Sequence, residues 1–415
     1  MTMSKQTHIV GVDLGTTSTT AIIAEAHEGE LEVLGVGVAA SSGVRKGAVV
    51  NPEAAADPIR EAVEEAERMS GLVAESVYVS MSGTLLRGVN NHGVTAITHS
   101  DHHITHADIR RVIETASLVT LPGGYEIIDI HPQEYIVDGQ DGINDPIEML
   151  GTRLEVRAHI ITGPMTLRRN VIAAVNRAGL LVAGVVLEPI AAAEAILTHD
   201  EREYGSVVIN IGGETTSLAI YQRGAVQHTA IFPLGGSHFT SDIAFGLRTP
   251  IADAERIKRE QGCVTPSLAM ELDRTTVNVP AMGHRPSRTL SREILCQILQ
   301  PRAEEMLHQV RDELRRSGFE RQLSSGAIFT GGGALLKGLP ALAEHILDYP
   351  ARLGEPQQVR GIAGERPSAL LTTALGLVLM GCRGRRLPQA ATHHPPGRLL
   401  ARTAARVRHW LSDLF

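Results

Sequence analysis

Two stretches of this chain share one pattern of apolar and polar positions. Gly11-Val-Asp-Leu-Gly-Thr-Thr-Ser-Thr-Thr-Ala-Ile-Ile23 and Val207-Val-Ile-Asn-Ile-Gly-Gly-Glu-Thr-Thr-Ser-Leu-Ala-Ile-Tyr221 each read as an apolar strand, a glycine-bearing hairpin turn, a hydroxyl cluster and a second strand. Asn51 to Gly71 carries a helical pattern that Gly71 stops, and Val77–Met81 reads as a buried strand. From about 85 to 163 the character changes. His92–Ile97 reads as a strand, and Thr105–Leu118 as a helix with Thr105 as N-cap and Asp108 in its first turn. Ile127–Ile130, Gln133–Val137 and Arg153–Ile161 alternate like strands, so this region reads as a small α+β insertion. Thr166–Ala178 is helical, Val182–Leu187 a strand, and Glu188–Ile196 a helix with Pro189 near its start. The second half begins at Ser206. Thr249–Gln261 and Leu290–Ser317 read as helices, the latter kinked at Pro301 and stopped by Gly318. Thr276–Val279 and Gly283–Arg288 suggest a hairpin. Gly326–Ala334 passes from a strand into a glycine-rich turn at a helix start.

The duplicated hairpin carries the chemistry. Glycine lets the backbone approach an anion closely, and threonine and serine add hydroxyl donors. Two such loops facing each other grip a polyphosphate from both sides, which makes Gly15, Thr16, Thr17 and Ser18, with Gly212, Gly213 and Thr215, candidate phosphate contacts. The turn at Gly331, Gly332 and Gly333 is a candidate for a phosphate or the edge of a nucleoside. His99, His102, His103 and His106 read as a solvated helix start, because no carboxylate or cysteine completes a ligand set with fixed spacing.

At 415 residues the chain is expected to hold two or more domains, and with only 3% aromatic residues its core must be aliphatic. Cys263, Cys296 and Cys382 have no ligand spacing, which suits a reducing cytoplasm. The start of the chain lacks the apolar stretch of a signal peptide, and the longest apolar run, around Leu370–Met380, is too short to span a bilayer. The net charge of −7 hides an asymmetry: from Arg383 onward there are seven arginines and one acid, a tail of +6 on a body of −13. The acidic body argues against nucleic acid, and the basic tail calls for an anionic partner.

That tail consists of a Pro- and Gly-bearing linker, residues 384–397, and a segment, 398–415, that is amphipathic at about 100° per residue. Leu399, Leu400, Val407, Trp410, Leu411, Leu414 and Phe415 fall in one arc, with Arg402, Arg406 and Arg408 outside it. This is the pattern of an interfacial membrane helix, each arginine contributing about 1 kcal/mol near anionic lipid. A single short helix binds reversibly, and several on one polymer bind far more firmly.

Together these elements resemble the actin and sugar-kinase superfamily. Gly11–Ser18 resembles its first phosphate loop, Leu187–Ile196 its first connecting helix, and Ile209–Ser217 its second phosphate loop. Phe329–Leu335 resembles its adenosine loop and Ser368–Gly381 its second connecting helix. Ala254-Glu-Arg-Ile-Lys258 resembles the helix whose acid and lysine, here Glu255 and Lys258, reach ribose and base. Within the superfamily the chain resembles the FtsA family of bacterial cell-division actin homologues. The resemblance rests on Ile130-His-Pro-Gln-Glu-Tyr-Ile-Val-Asp138, Asp145–Gly151, Thr240–Glu255, Pro280–Arg288, Leu299-Gln-Pro-Arg302 and the amphipathic end.

The resemblance implies an α/β, actin-like two-domain fold (two ribonuclease-H-like domains) with a small inserted α+β subdomain and a C-terminal amphipathic helix. Residues 1–84, 164–200 and 365–383 would form the first domain and 85–163 the insert. Residues 201–244 and 318–364 would form the second domain, with 245–317 as its lobe. It further implies an ATP- and Mg²⁺-binding, self-associating cytoskeletal adaptor on the cytoplasmic face of the cell membrane at the division septum. Such an adaptor tethers FtsZ and recruits later division proteins through the insert. The FtsZ C-terminal peptide would dock on the second-domain lobe, where Arg285, Arg288 and Arg292 suit an acidic-apolar partner. Asp13 would hold the metal through water and Glu188 would orient water. Asn210 stands where the superfamily usually has Asp and cannot carry its charge, so hydrolysis is expected to be slow or absent. Two alternatives share the fold: a PilM-like pilus-assembly adaptor, and a sugar-kinase or polyphosphatase-type enzyme.

Overall fold

A computed structural model describes residues 8–27, 30–266, 276–283, 286–357, 359–361 and 368–384. Arg285, the 385–397 part of the linker and the amphipathic segment 398–415 lie outside the described residues. In chain order the elements begin with β1 (His8–Leu14), β2 (Ser18–His27), β3 (Glu30–Ala40), β4 (Val44–Arg45), β5 (Ala48–Val49), α1 (Pro52–Ser70) and β6 (Ser76–Met81). The insert holds β7 (Arg87–Ala96), α2 (His106–Ala116), β8 (Tyr125–Val137), β9 (Gln140–Ile143) and β10 (Arg153–Pro164). Then come α3 (Met165–Arg177), β11 (Leu181–Leu187), α4 (Glu188–Ile196), α5 (His199–Tyr204), β12 (Ser206–Ile211), β13 (Thr216–Gln222) and β14 (Ala225–Phe232). The remainder is α6 (Gly236–Leu247), α7 (Ile251–Gln261), β15 (Thr276–Val279), β16 (Arg288–Ser291), α8 (Arg292–Ser317), β17 (Ala327–Thr330), α9 (Leu339–Leu347), β18 (Ala351–Leu353), β19 (Val359–Arg360) and α10 (Thr372–Gly384).

The duplication seen in the sequence extends to whole sheets. The first runs β11-β6-β1-β2-β3-β19 and the second β14-β13-β12-β17-β18. In each, an antiparallel three-strand meander continues on its first strand's other side into parallel strands. Parallel strands buried on both faces demand continuous apolar runs, and β12 is buried at all six positions. The cores are aliphatic as expected, with Phe239 and Phe329 the largest fully buried side chains.

Helix ends follow local rules. Asn51 accepts from Glu53 N (3.1 Å) and Ala54 N (3.2 Å), and Gly71 closes α1 with φ 71°. Helices α4 and α10 cross at the junction between the two sheets so closely that a Cβ on Gly376 would overlap the Ala191 carbonyl oxygen. Among the described residues no helix is long and apolar enough to cross a membrane.

The insert is a four-stranded sheet, β7-β10-β8-β9, covered by α2. Ile127–Ile130 and Gln133–Val137 are one strand, not two. Pro132 sits opposite Ala158 at a register shift, a position where no ladder donor is needed. All four predicted surface histidines of the insert are exposed. The insert also docks on the second sheet. Asn90 Nδ2 donates to Gln227 O (3.1 Å) and Gln133 Nε2 to Val226 O (3.0 Å) on β14. Buried His159 lies 2.6 Å from Asn90 Oδ1 and 2.9 Å from Thr229 Oγ1. Asn90 Oδ1 can only accept, so Nδ1 carries the proton and Nε2 accepts from Thr229.

Three further expectations need correction. The second strand of the lobe hairpin is Arg288–Ser291 rather than Gly283–Arg288, pairing Val279 with Arg288. Leu290 therefore belongs to that strand, and α8 starts only after Ser291, whose hydroxyl accepts from Glu293 N. The glycine-rich turn after β17 leads into a single 3₁₀ turn, Gly332–Leu335, and α9 begins at Leu339. No α-helix N-terminus faces the nucleotide side there.

Candidate nucleotide cleft and partner groove

The two predicted loops face each other tip to tip. Each has four residues between paired strands, Leu14 to Thr19 in the first and Ile211 to Thr216 in the second. A Cβ on Gly213 would overlap Thr17 Oγ1, so glycine lets the two loops meet with the Thr17 hydroxyl in its present place. The start of α6 is tied to the second loop: Gly236 N–H donates to Gly212 O (2.8 Å) and Ser237 N–H to Gly213 O (2.7 Å). Across a trans peptide the next N–H points the opposite way, so the Gly213 and Glu214 amides face away from α6. Of the candidate phosphate contacts Gly15, Thr16, Thr17 and Ser18 in the first loop and Gly212, Gly213 and Thr215 in the second, Thr17 and Gly213 make the approach between the loops.

Polar side chains line the floor. Asn210 on β12 donates from Nδ2 to Glu188 Oε1 (2.8 Å) on the first turn of α4, and more distantly to Thr373 Oγ1 (3.4 Å). Glu188 Oε2, Ser82 Oγ and Ser217 Oγ are buried together, the two hydroxyls near enough to favour the carboxylate but outside strict hydrogen-bond geometry. Burial, then the Asp13 carboxylate, pushes the Glu188 carboxyl up to about 7, against the smaller opposing pull of nearby Ser82 and Ser217. Asp13 is pushed up to about 6 by burial, opposed by the hydroxyl of Ser80, which donates to its Oδ1 at 2.7 Å. The half-buried carboxyls of Asp13 and Glu188, beside facing donor loops, are groups of the kind that hold a divalent cation on a polyphosphate.

Glu255 and Lys258 meet on one face of α7. Lys258 Nζ lies 2.7 Å from Glu255 Oε2 and donates to Gly236 O and Thr240 Oγ1, both at 2.9 Å. Burial pushes Glu255 up, but bonds from Lys258 and Thr240 outweigh it and hold the carboxyl below its usual range. Burial lowers Lys258. Gly331, with φ 84°, packs its backbone against Asn210 and Ile211, and Gly333 packs against Ile211. The glycine-rich turn therefore packs on Asn210 and Ile211 at the end of β12, from which the second loop leaves, and the first loop meets the second through Thr17 and Gly213.

The partner-peptide candidates fare differently. Arg288 donates from its guanidinium to Leu247 O (2.7 Å). Arg292 is only 4% exposed, turned inward at the start of α8, so its side chain does not present itself to a partner. What sequence reasoning missed is a groove of about 350 Å³ between α6 and α8, lined by Phe245, Ile298, Pro301, Arg302 and Glu305. Phe245 is 89% exposed. Arg302 forks onto Asp242, 2.7 and 3.1 Å, at the groove's edge. The available signal was a phenylalanine on a short amphipathic stretch in an aromatic-poor chain.

Duplicated sheets, facing hairpin loops and two crossing helices between them define an actin-like protein. Solved structures with this fold include the PilM-PilN type IV pilus biogenesis complex (TM-score 0.64, 17% identity, covering 90% of this chain and 98% of that one). MreB5 of Spiroplasma citri bound to ADP is similar too (TM-score 0.58, 15% identity, 92% and 98% covered). A profile of "Cell division protein FtsA" matches residues 207–376, and one of the "SHS2 domain inserted in FTSA" matches residues 83–162. The chain is 37% identical over 412 residues to the cell division protein FtsA of Pseudomonas aeruginosa, covering 98% of each. It is 40% identical over 372 residues to that of Borreliella burgdorferi, covering 89% of this chain and 90% of the relative. The chain belongs to the cell division protein FtsA family, and its role lies in cell division.

Proposed function

We propose that this protein is an ATP-binding, self-associating adaptor that tethers FtsZ to the inner face of the cytoplasmic membrane at the division site and helps recruit later division proteins through its insert. The observation that carries the reading is the apposition of Gly213 and Thr17, with the Glu188 carboxyl held by Asn210 at the end of the same strand that enters the second loop. A polyphosphate supplies anionic oxygens to these loops, and Mg²⁺ supplies the charge that Asp13 and Glu188 lack. Asp13 holds the metal through water, Glu188 orients water, and Glu255 and Lys258 meet the nucleoside. Asn210 occupies Glu188 Oε1 with a neutral donor, which supports slow or absent hydrolysis.

The FtsZ peptide docks on the second-domain lobe, residues 245–317 with the adjoining end of α6. The Phe245 groove offers it an apolar seat with a charged rim, and Arg285 and Arg288 lie on the same lobe. Residues 398–415 lie on anionic lipid through Leu399, Leu400, Val407, Trp410, Leu411, Leu414 and Phe415, with Arg402, Arg406 and Arg408 at headgroup level.

Vesicle flotation tests the whole reading. FtsZ is expected to rise with anionic liposomes only when full-length protein and ATP are both present, and to stay at the bottom with a chain cut after Arg386. Equal flotation of FtsZ with both chains would overturn it.

A further inference from the structure

The short hairpin β4–β5 turns at Lys46 and Gly47, whose φ values are 47° and 75°. This is a two-residue turn of the type in which Asn, Asp or Gly at the first position is cheapest. Lysine in this left-handed conformation costs about 1 kcal/mol or more. A strained residue of this kind marks a place where its side chain or exact backbone is needed.

What surrounds the turn is the pair of phosphate loops. Gly47 N–H donates to Thr16 Oγ1 of the first loop at 3.3 Å. Lys46 N–H crosses to the second domain and donates to Glu214 Oε2 at 2.6 Å. Glu214 follows Gly213 within the second loop, so this one bond closes the rim of the cleft between residues 168 positions apart. The Lys46 side chain is exposed, and its ammonium has no partner among the described residues. Glu214 is thus a carboxylate in a loop whose other groups, amides and hydroxyls, suit anions, and it is joined to the backbone of a lysine whose ammonium is free to turn toward the cleft.

We propose that Lys46 and Glu214 form a clasp that reads the outermost phosphate of a nucleoside triphosphate. The inference rests on the nucleotide reading above and deepens it. With a diphosphate, Glu214 keeps its hold on the Lys46 N–H. The outermost phosphate of a triphosphate repels the Glu214 carboxylate and takes the Lys46 ammonium as its partner. Lys46 is then a binding residue, and Glu214 sets the preference between the two nucleotides.

Equilibrium binding of ATP and of ADP to the full chain, with thermal melts alongside, tests this on Lys46→Asn, Lys46→Arg and Glu214→Gln. Asparagine suits the turn and keeps its N–H, so Lys46→Asn should melt at or above the parent temperature. It should nevertheless bind ATP about tenfold more weakly with ADP unchanged. Lys46→Arg should recover most of that loss. Glu214→Gln should tighten ATP severalfold and leave ADP unchanged, because only a like charge is removed. If Lys46→Asn binds ATP as tightly as the parent, or loses ATP and ADP equally, the clasp is wrong while the nucleotide site stands. If the parent binds neither nucleotide, both fall.

Discussion

Asn210 Nδ2 donates to Glu188 Oε1 across 2.8 Å, joining the strand that enters the second loop to the first turn of α4. Asn210→Asp replaces this donor with a third carboxylate beside Glu188 and Asp13. The apo variant should lose about 1–3 kcal/mol at pH 8 by urea denaturation. The loss should shrink at pH 5, where Glu188 (about 7) and Asp13 (about 6) are both protonated in the folded protein. Equal stability of variant and parent at pH 8 would contradict this view of the cleft floor.

The same shifts make the parent's stability depend on pH in two directions. Asp13 and Glu188 bind protons more tightly when folded, so their contribution falls as pH rises from about 4 to about 7. His159, pushed down to about 3 by burial and then by His131 and His228, does the opposite. Its contribution is complete above pH 6.5 and drains away as pH falls toward 3, at up to about 1.4 kcal/mol per pH unit. His159→Gln should therefore show a shallower acid decline than the parent in urea midpoints between pH 6.5 and 4. Parallel declines would place the acid sensitivity elsewhere.

Phe245 tests the partner groove without a folding cost. At 89% exposed, its replacement by alanine should change stability by less than about 0.5 kcal/mol. Binding of an FtsZ C-terminal peptide, read by fluorescence anisotropy, should weaken about tenfold or more. Arg292→Ala makes the contrast. Its buried side chain predicts a lower melting temperature rather than a specific loss of peptide.

The junction of α4 and α10 has no room for a methyl group. Gly376→Ala forces the helices apart and should cost about 1–3 kcal/mol. A melting temperature within a degree of the parent would show the crossing to be looser than described.

Much of this was legible in the sequence because local rules suffice for it. The repeated strand–glycine–hydroxyl pattern located both loops, Thr105 and Asp108 marked a capped helix, and Gly71 and Gly318 marked two helix ends. Pro132 misled because a proline that breaks a central strand is harmless at a bulge. Helix α6 went unread because Gly236, Ser237 and Gly246 blur its apolar period, although its start is what fastens the second loop. Arg292 looked like a surface charge because nothing local shows that the first turn of α8 faces inward. Lys46–Glu214 and His159–Thr229 join residues far apart in the chain, so neither had a local signature.

The most direct test of the central claim, that the facing loops grip a nucleotide, is calorimetric titration of ATP with Mg²⁺ into the parent and into Gly213→Val. The parent should bind one ATP, and the variant, whose side chain collides with Thr17, should show no heat of binding while melting close to the parent temperature. A Gly213→Val protein that binds ATP as the parent does would contradict the account at its base.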